Sequence, residues 1–139
     1  MILEGKKISK IANNKKILEN IEISISSEKI YGLLGPNGAG KTSLFSILSG
    51  LTRASSGEIS FNSKKINQLS FENRSDLGII YLPQEPSVFR ELTVEDNIKA
   101  ALEAKKYDAK EKDKKMNEII DDFSLFEILK IVKAGKLSF

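Results

Sequence analysis

Gly35-Pro36-Asn37-Gly38-Ala39-Gly40-Lys41-Thr42 matches the spacing G-x-x-x-x-G-K-[ST] at every fixed position. The glycines at 35, 38 and 40 allow backbone dihedrals closed to residues with a Cβ. Successive N–H groups can then turn inward on one anion, and a helix starting there adds its positive end. Lys41 is placed to reach β- and γ-phosphates. The Thr42 hydroxyl is placed to bind Mg²⁺. The bland alternative is a glycine-rich turn that carries a lysine by coincidence. The flanking residues argue against it, because a phosphate loop needs a buried strand before it and a helix after it.

Both are legible. Ile30-Tyr31-Gly32-Leu33-Leu34 is a short apolar run, which predicts a buried strand over 30–34. Leu44, Phe45, Ile47, Leu48 and Leu51 recur at helical spacing, and Ser49-Gly50 predicts the helix stop. Upstream, residues 2–10 have strand character weakened by Gly5 and Lys6-Lys7. In 16–26, Ile17, Ile21, Ile23 and Ile25 interleave with Glu22, Ser24 and Ser26, the period of a half-buried strand. Asn13-Asn14 predicts the turn between them.

Downstream, Glu58-Ile59-Ser60-Phe61-Asn62 alternates and Asn62-Ser63-Lys64 predicts a turn, hence a second β-ribbon. Residues 67–76 predict a short helix. Ile79-Ile80-Tyr81-Leu82 predicts a second buried strand, ended by Pro83. Gln84 follows at the carboxyl end of that strand, where ligands sit in open α/β sheets. Thr93 to Asp96 reads as a capping box for a helix over 93–106, with a stripe of Val94, Ile98, Ala101 and Leu102. Asp108 and Glu111 start another helix, carrying Met116, Ile119, Ile120 and Phe123. A third covers 125–133 and stops at Gly135. The chain thus divides into a mixed α/β part, 1–85, and a helical part, 86–139.

The sequence has 139 residues, 40% of them hydrophobic, enough for one modest globular core. It contains no cysteine and no histidine, so neither can serve as nucleophile, base or ligand here. No apolar run reaches the ~18 residues that suggest a membrane span, and the N-terminus shows no signal-peptide pattern. The net charge is +3, with the lysines of 105–106 and 110–115 mixed with acids. No aromatic residue lies within either run, so they read as solvated helix surface and not as a nucleic-acid patch.

Three segments, GPNGAGKTSL (35–44), SGLTRASSGEISF (49–61) and YLPQEPSVFRELTVEDNI (81–98), resemble the ATP-binding-cassette (ABC) ATPases in order and spacing. The resemblance implies a P-loop NTPase core of α/β class, with an N-terminal antiparallel β-ribbon and a partial helical subdomain. It implies ATP and Mg²⁺ as cofactors. Gly35, Pro36, Asn37, Gly38, Ala39, Gly40, Lys41 and Thr42, with Ser43, would be the nucleotide loop. Thr42 and Gln84 would hold Mg²⁺, and Gln84 would touch the attacking water and link the site to the transport partner. A neutral amide suits that task, since its oxygen ligates a hard cation and its nitrogen donates to water. The alternative for Gln84 is an ordinary polar strand-end residue. Phe89 and Arg90 would meet the membrane subunits, with Phe89 as core filler the alternative.

The last segment is most similar to ATPases of lipopolysaccharide exporters, with branched-chain amino-acid importers close by. A non-transport ABC ATPase and a non-functional gene fragment remain open. The resemblance further implies transmembrane permease partners, a homodimer of ATPase subunits, and a cytoplasmic position on the inner face of the bacterial inner membrane.

Two departures stand out. The family's adenine-stacking aromatic would fall near Ile11-Ala12, yet no aromatic residue precedes Tyr31. The family's Leu-Ser-Gly-Gly signature is met here by Leu137-Ser138-Phe139, with none of the downstream strand Asp, catalytic Glu or switch His. This leads us to expect a truncated N-terminal part that is marginally folded, binds nucleotide weakly and carries no catalytic residue. ATP turnover by the purified chain is therefore expected to fall far below a transporter rate, and a phosphate-release assay showing transporter-like hydrolysis would overturn that expectation.

Overall fold

The computed structural model describes residues 1–85, 87–105 and 107–123. They form two compact units, one over Met1–Leu82 and one from Pro83 onward.

The first unit is built on a long β-ribbon. β1 (Ile2–Ala12) pairs antiparallel with β2 (Lys15–Ser26), in register from Ile2 opposite Ser26 to Ala12 opposite Lys15. Asn13 and Asn14 join them with φ of 48° and 58°. Asparagine tolerates this left-handed region, and two such residues in a row make the turn that matches strand twist. β3 (Ser56–Phe61) adds to the free edge of β1, and β4 (Lys64–Lys65) returns against β3 through Asn62-Ser63, again with positive φ. The sheet order is β2-β1-β3-β4.

One face of this sheet carries helix α1 (Lys41–Ser49). Leu44, Ile47 and Leu48 of α1 join Ile8, Leu18, Ile59 and Ile66 in the buried core. Each such side chain contributes ~1.5–3 kcal/mol by leaving water. α1 stops at Gly50, whose φ of 89° gives the left-handed turn a helix end favours and whose N–H returns to the Ile47 carbonyl. α2 (Phe71–Asp76) follows, with the Ser70 side chain accepting from the Asn73 N–H.

The two predicted buried strands are corrected. Neither 30–34 nor 79–82 is a strand, and Ile30, Leu34, Ile80 and Leu82 are 104%, 93%, 82% and 91% exposed. Both apolar runs were read by hydrophobicity, which reports the tendency to be covered and not the presence of a cover. A parallel strand is buried by ladder neighbours and by helices on both faces. Among the described residues no strand runs beside either segment.

The second unit is a helical hairpin. α3 (Val94–Glu103) and α4 (Ala109–Asp122) pack through Val94, Ile98, Met116 and Ile120. The Thr93 hydroxyl accepts the Asp96 N–H at 3.1 Å and donates to the Asp96 carboxylate at 2.7 Å. At α4 the box is reciprocal: Asp108 accepts from the Glu111 N–H at 2.9 Å, and Glu111 accepts from the Asp108 N–H at 3.1 Å. Lys112 reaches Glu103 and Lys115 reaches Glu118, each at 2.6 Å. The helix expected at 125–133, its stop at Gly135, and Leu137-Ser138 lie outside the described residues.

Ile47 is fully buried at the α1–sheet contact. Ile47→Ala is expected to cost ~2–5 kcal/mol, read as a lower urea midpoint at unchanged slope.

Candidate functional site

The loop is exposed from Gly35 to Ala39, and the half-buried Gly40 leads it into α1. Its geometry depends on two glycines. Gly38 has a φ of 82° with open space around it. Gly40 has a φ of 86°, and a Cβ there would lie 2.7 Å from Leu18 Cδ2 and 2.8 Å from the Ile17 carbonyl oxygen. Gly40 therefore lets the loop turn left-handed and lets the start of α1 lie directly against β2. Within the loop, the Ala39 N–H donates to the Pro36 carbonyl at 3.2 Å, a turn that curls the chain around its own N–H groups.

Gly40 is also the N-cap of α1, and no side chain caps this helix. α2, α3 and α4 spend a serine, a threonine and an aspartate oxygen on their first N–H groups. α1 has no such oxygen and no acid in its first turn. Its leading N–H groups have no acceptor within the helix, and the partial positive charge of the helix end stays uncancelled. That end is matched to an anion.

Lys41 opens the helix, and its ammonium curls back over the loop. Nζ donates to the Gly35 carbonyl at 2.7 Å and to the Pro36 carbonyl at 2.8 Å. An ammonium has three N–H bonds, so these contacts fix its position and leave one bond to point outward. The exposed Thr42 hydroxyl and the half-buried Ser43 follow on the first turn of α1. The donor set is thus one ammonium, helix N–H groups and two hydroxyls, which fits a phosphate chain. A hydroxyl oxygen is also a fitting hard ligand for Mg²⁺. Among the described residues no cluster of three or more acidic or histidine side chains could hold a metal ion unaided.

The remaining expected residues lie in the second unit. Gln84 is exposed. Phe89 is 65% exposed, so the core-filler reading has no support in its burial. Its backbone is clamped on both sides by Asn97 of α3, whose Oδ1 accepts the Phe89 N–H at 2.7 Å and whose Nδ2 donates to the Phe89 carbonyl at 3.0 Å. Asn97 also holds the Thr93 carbonyl at 2.9 Å. Arg90 is exposed beside it. Asn97 escaped the sequence reading, and an asparagine amid a helical stripe is the one hint that it bonds backbone. Ile11, near the expected adenine position, is 53% exposed at the end of the β1–β2 ribbon.

A glycine loop that feeds an uncapped helix, with lysine and threonine in its first turn, is an arrangement able to receive a phosphate chain. A family model described as ABC transporter matches residues 18–138, and the chain belongs to that family. It is 39% identical over 128 residues to the lipopolysaccharide export system ATP-binding protein LptB of Haemophilus influenzae, an alignment covering 91% of this chain and 53% of that protein. A nucleotide-free ATP-binding cassette from an ABC transporter superposes with a TM-score of 0.82 at 26% identity, over 99% of this chain and 59% of the other. The ADP conformation of MJ1267, an ATP-binding cassette of an ABC transporter, gives a TM-score of 0.80 at 26% identity and the same coverage. The α/β class is that of an ATP-binding cassette, of which the structure covers a part. The chain spans about half the length of the curated relatives it matches. No helix among the described residues is long and apolar enough to cross a membrane.

Gly40→Ala puts a methyl group into Leu18 and the Ile17 carbonyl at a strained φ. It is expected to destabilise the first unit by more than ~1 kcal/mol and to abolish nucleotide binding. Calorimetric titration with MgADP checks this, alongside Gly38→Ala, which meets no neighbour and should retain more of the fold.

Proposed function

We propose that this chain is the nucleotide-binding part of the ATP-binding subunit of an ABC transporter, of the kind that serves lipopolysaccharide export. The observation that carries the reading is the Lys41 ammonium, pinned over the loop by two carbonyls at the uncapped start of α1. Gly35, Pro36, Asn37, Gly38, Ala39 and Gly40 wrap the phosphates, and Lys41 neutralises the β- and γ-phosphate charge. The hydroxyls of Thr42 and Ser43 complete the cradle. Thr42 and Gln84 would hold Mg²⁺, which would supply neutralisation of phosphate charge. Gln84, by its amide, would also be suited to orient an attacking water.

The lipopolysaccharide assignment rests on a relative that carries that name at 39% identity. In that setting the exposed Phe89 and Arg90 meet the transmembrane permease subunits. The ATPase subunits pair as a homodimer on the cytoplasmic face of the bacterial inner membrane. The division at 85 and 86 separates the nucleotide-binding part from the helical part that carries Phe89 and Arg90.

Lys41→Ala removes a charge-assisted hydrogen bond, worth ~1.5–3 kcal/mol. The MgATP dissociation constant should rise about ten- to a hundredfold while thermal unfolding stays close to wild type. Unchanged affinity in the variant overturns the phosphate-site reading.

A further inference from the structure

Among the described residues Arg74 is the one buried charged side chain, 2% exposed in the middle of α2. Its Nη1 donates to the carbonyls of Ile47 and Leu48, both at 2.8 Å, and its Nη2 donates to the Ile66 carbonyl at 2.9 Å. Nε is buried without a partner. Burial pushes the guanidinium pKa down from its ordinary value, but a guanidinium stays charged in proteins. A buried charge with an unsatisfied N–H is costly, so its placement calls for a reason.

The acceptors supply one. Ile47 and Leu48 lie in the last turn of α1, where carbonyls lack the N–H four residues on that a longer helix would supply, and the Ile47 carbonyl receives the Gly50 N–H at 3.2 Å instead. A cation there also faces the negative end of the helix dipole. The same nine-residue helix carries Lys41 and Thr42 at its other end. The apolar face of α1 fixes its distance from the sheet, but apolar attraction is non-directional and restrains sliding and rotation weakly. A planar fork bonded to two α1 carbonyls and to the backbone after β4 restrains both. Gly50 leaves the room, since a Cβ there would lie 3.0 Å from Arg74 Cδ and Nε. Backbone continues the link, as the N–H groups of Leu77 and Ile79 both reach the Arg74 carbonyl.

We propose that Arg74 is a positioning residue for the phosphate site: it locks the C-terminal end of α1 to α2 and Ile66, and so sets the axial position and rotation at which Lys41 and Thr42 face a polyphosphate. The proposal rests on the reading of residues 35–43 as a nucleotide-phosphate site.

The test uses the full chain with MgADP as probe. Arg74→Met keeps volume and removes every donor, while Arg74→Lys keeps the charge and loses the fork. At a temperature where both remain folded by circular dichroism, Arg74→Met should raise the MgADP dissociation constant about tenfold, and Arg74→Lys should restore part of the loss. The amide resonances of residues 40–44 should also shift in the nucleotide-free variant. A merely structural role would lower the unfolding temperature and move neither readout. Wild-type affinity in folded Arg74→Met overturns the proposal and leaves the phosphate site standing. A wild-type chain that fails to bind MgADP overturns the phosphate site and the proposal with it. If Arg74→Met does not fold, hydrogen exchange on the wild type decides. MgADP should protect Leu77 and Ile79 together with residues 38–44, and protection confined to 35–44 overturns the proposal.

Discussion

The close approach of Gly40 to β2 is the constraint from which the rest of the first unit follows. The Gly40 Cα sits where any Cβ would meet Leu18 and the Ile17 carbonyl. That contact seats the start of α1 on Leu18 and the Ile17 carbonyl with no Cβ of its own between. Leu44, Ile47 and Leu48 then reach Ile8, Ile59 and Ile66. Had the helix begun a methyl group further out, its apolar stripe would cover the sheet less completely, and the packing lost would exceed the small propensity gained. The residue that seats the helix is also the one that leaves it uncapped, so one glycine provides both the packing and the anion-facing end.

The sheet is bent to receive this helix. Lys7 and Asn20 take positive φ of 51° and 49° in mid-strand, and Gly57 has a φ of 102°. The β1–β2 and β1–β3 registers both shift after Gly5 and Lys6, next to these residues. An extra residue in one strand raises local twist and turns the strand. A Cβ on Gly57 would stand 2.5 Å from the Lys7 carbonyl oxygen, so β3 can follow the bulge only with glycine there. Asn67 finishes the edge, accepting the Ile59 N–H at 2.8 Å and donating to the Gly57 carbonyl at 3.0 Å.

Features that depend on neighbours in the chain were legible in the sequence. The hairpin turn at Asn13-Asn14, the helix stop at Gly50 and the box of Asp108 with Glu111 each involve residues within a few positions of one another. The backbone of the loop at 35–42 belongs with them, because the positive φ of Gly38 and Gly40 and the start of α1 at Lys41 are set by neighbouring residues. Features that depend on distant residues were not legible. Arg74 lies in a polar stretch and reads as surface, since its three acceptors are as many as 27 residues away. The segments 30–34 and 79–82 carry strand-like apolar residues, but strand formation needs a ladder partner, and a run of isoleucine and leucine does not state whether one is at hand.

This division between local and distant requirements also separates binding from turnover. The ammonium, the helix N–H groups and the two hydroxyls of the candidate anion site all lie between Gly35 and Ser43, on one loop and the first turn of one helix. The supports of that helix, at Gly40, Ile47 and Arg74, all lie within the first unit. Such a site is assembled whenever the β1–β2–β3 sheet holds α1. Hydrolysis asks for more, since an attacking water must be oriented and its proton accepted at a point fixed relative to the γ-phosphate. The side chains of Lys41, Thr42 and Ser43 are an ammonium and hydroxyls, donors to the anion and not bases. Gln84, the residue suited to orient water, is an amide with no basicity, and it lies in the second unit. Under the proposed reading, phosphate recognition would be a property of one short stretch and its backing, and chemistry on a bound nucleotide a property of what faces that stretch.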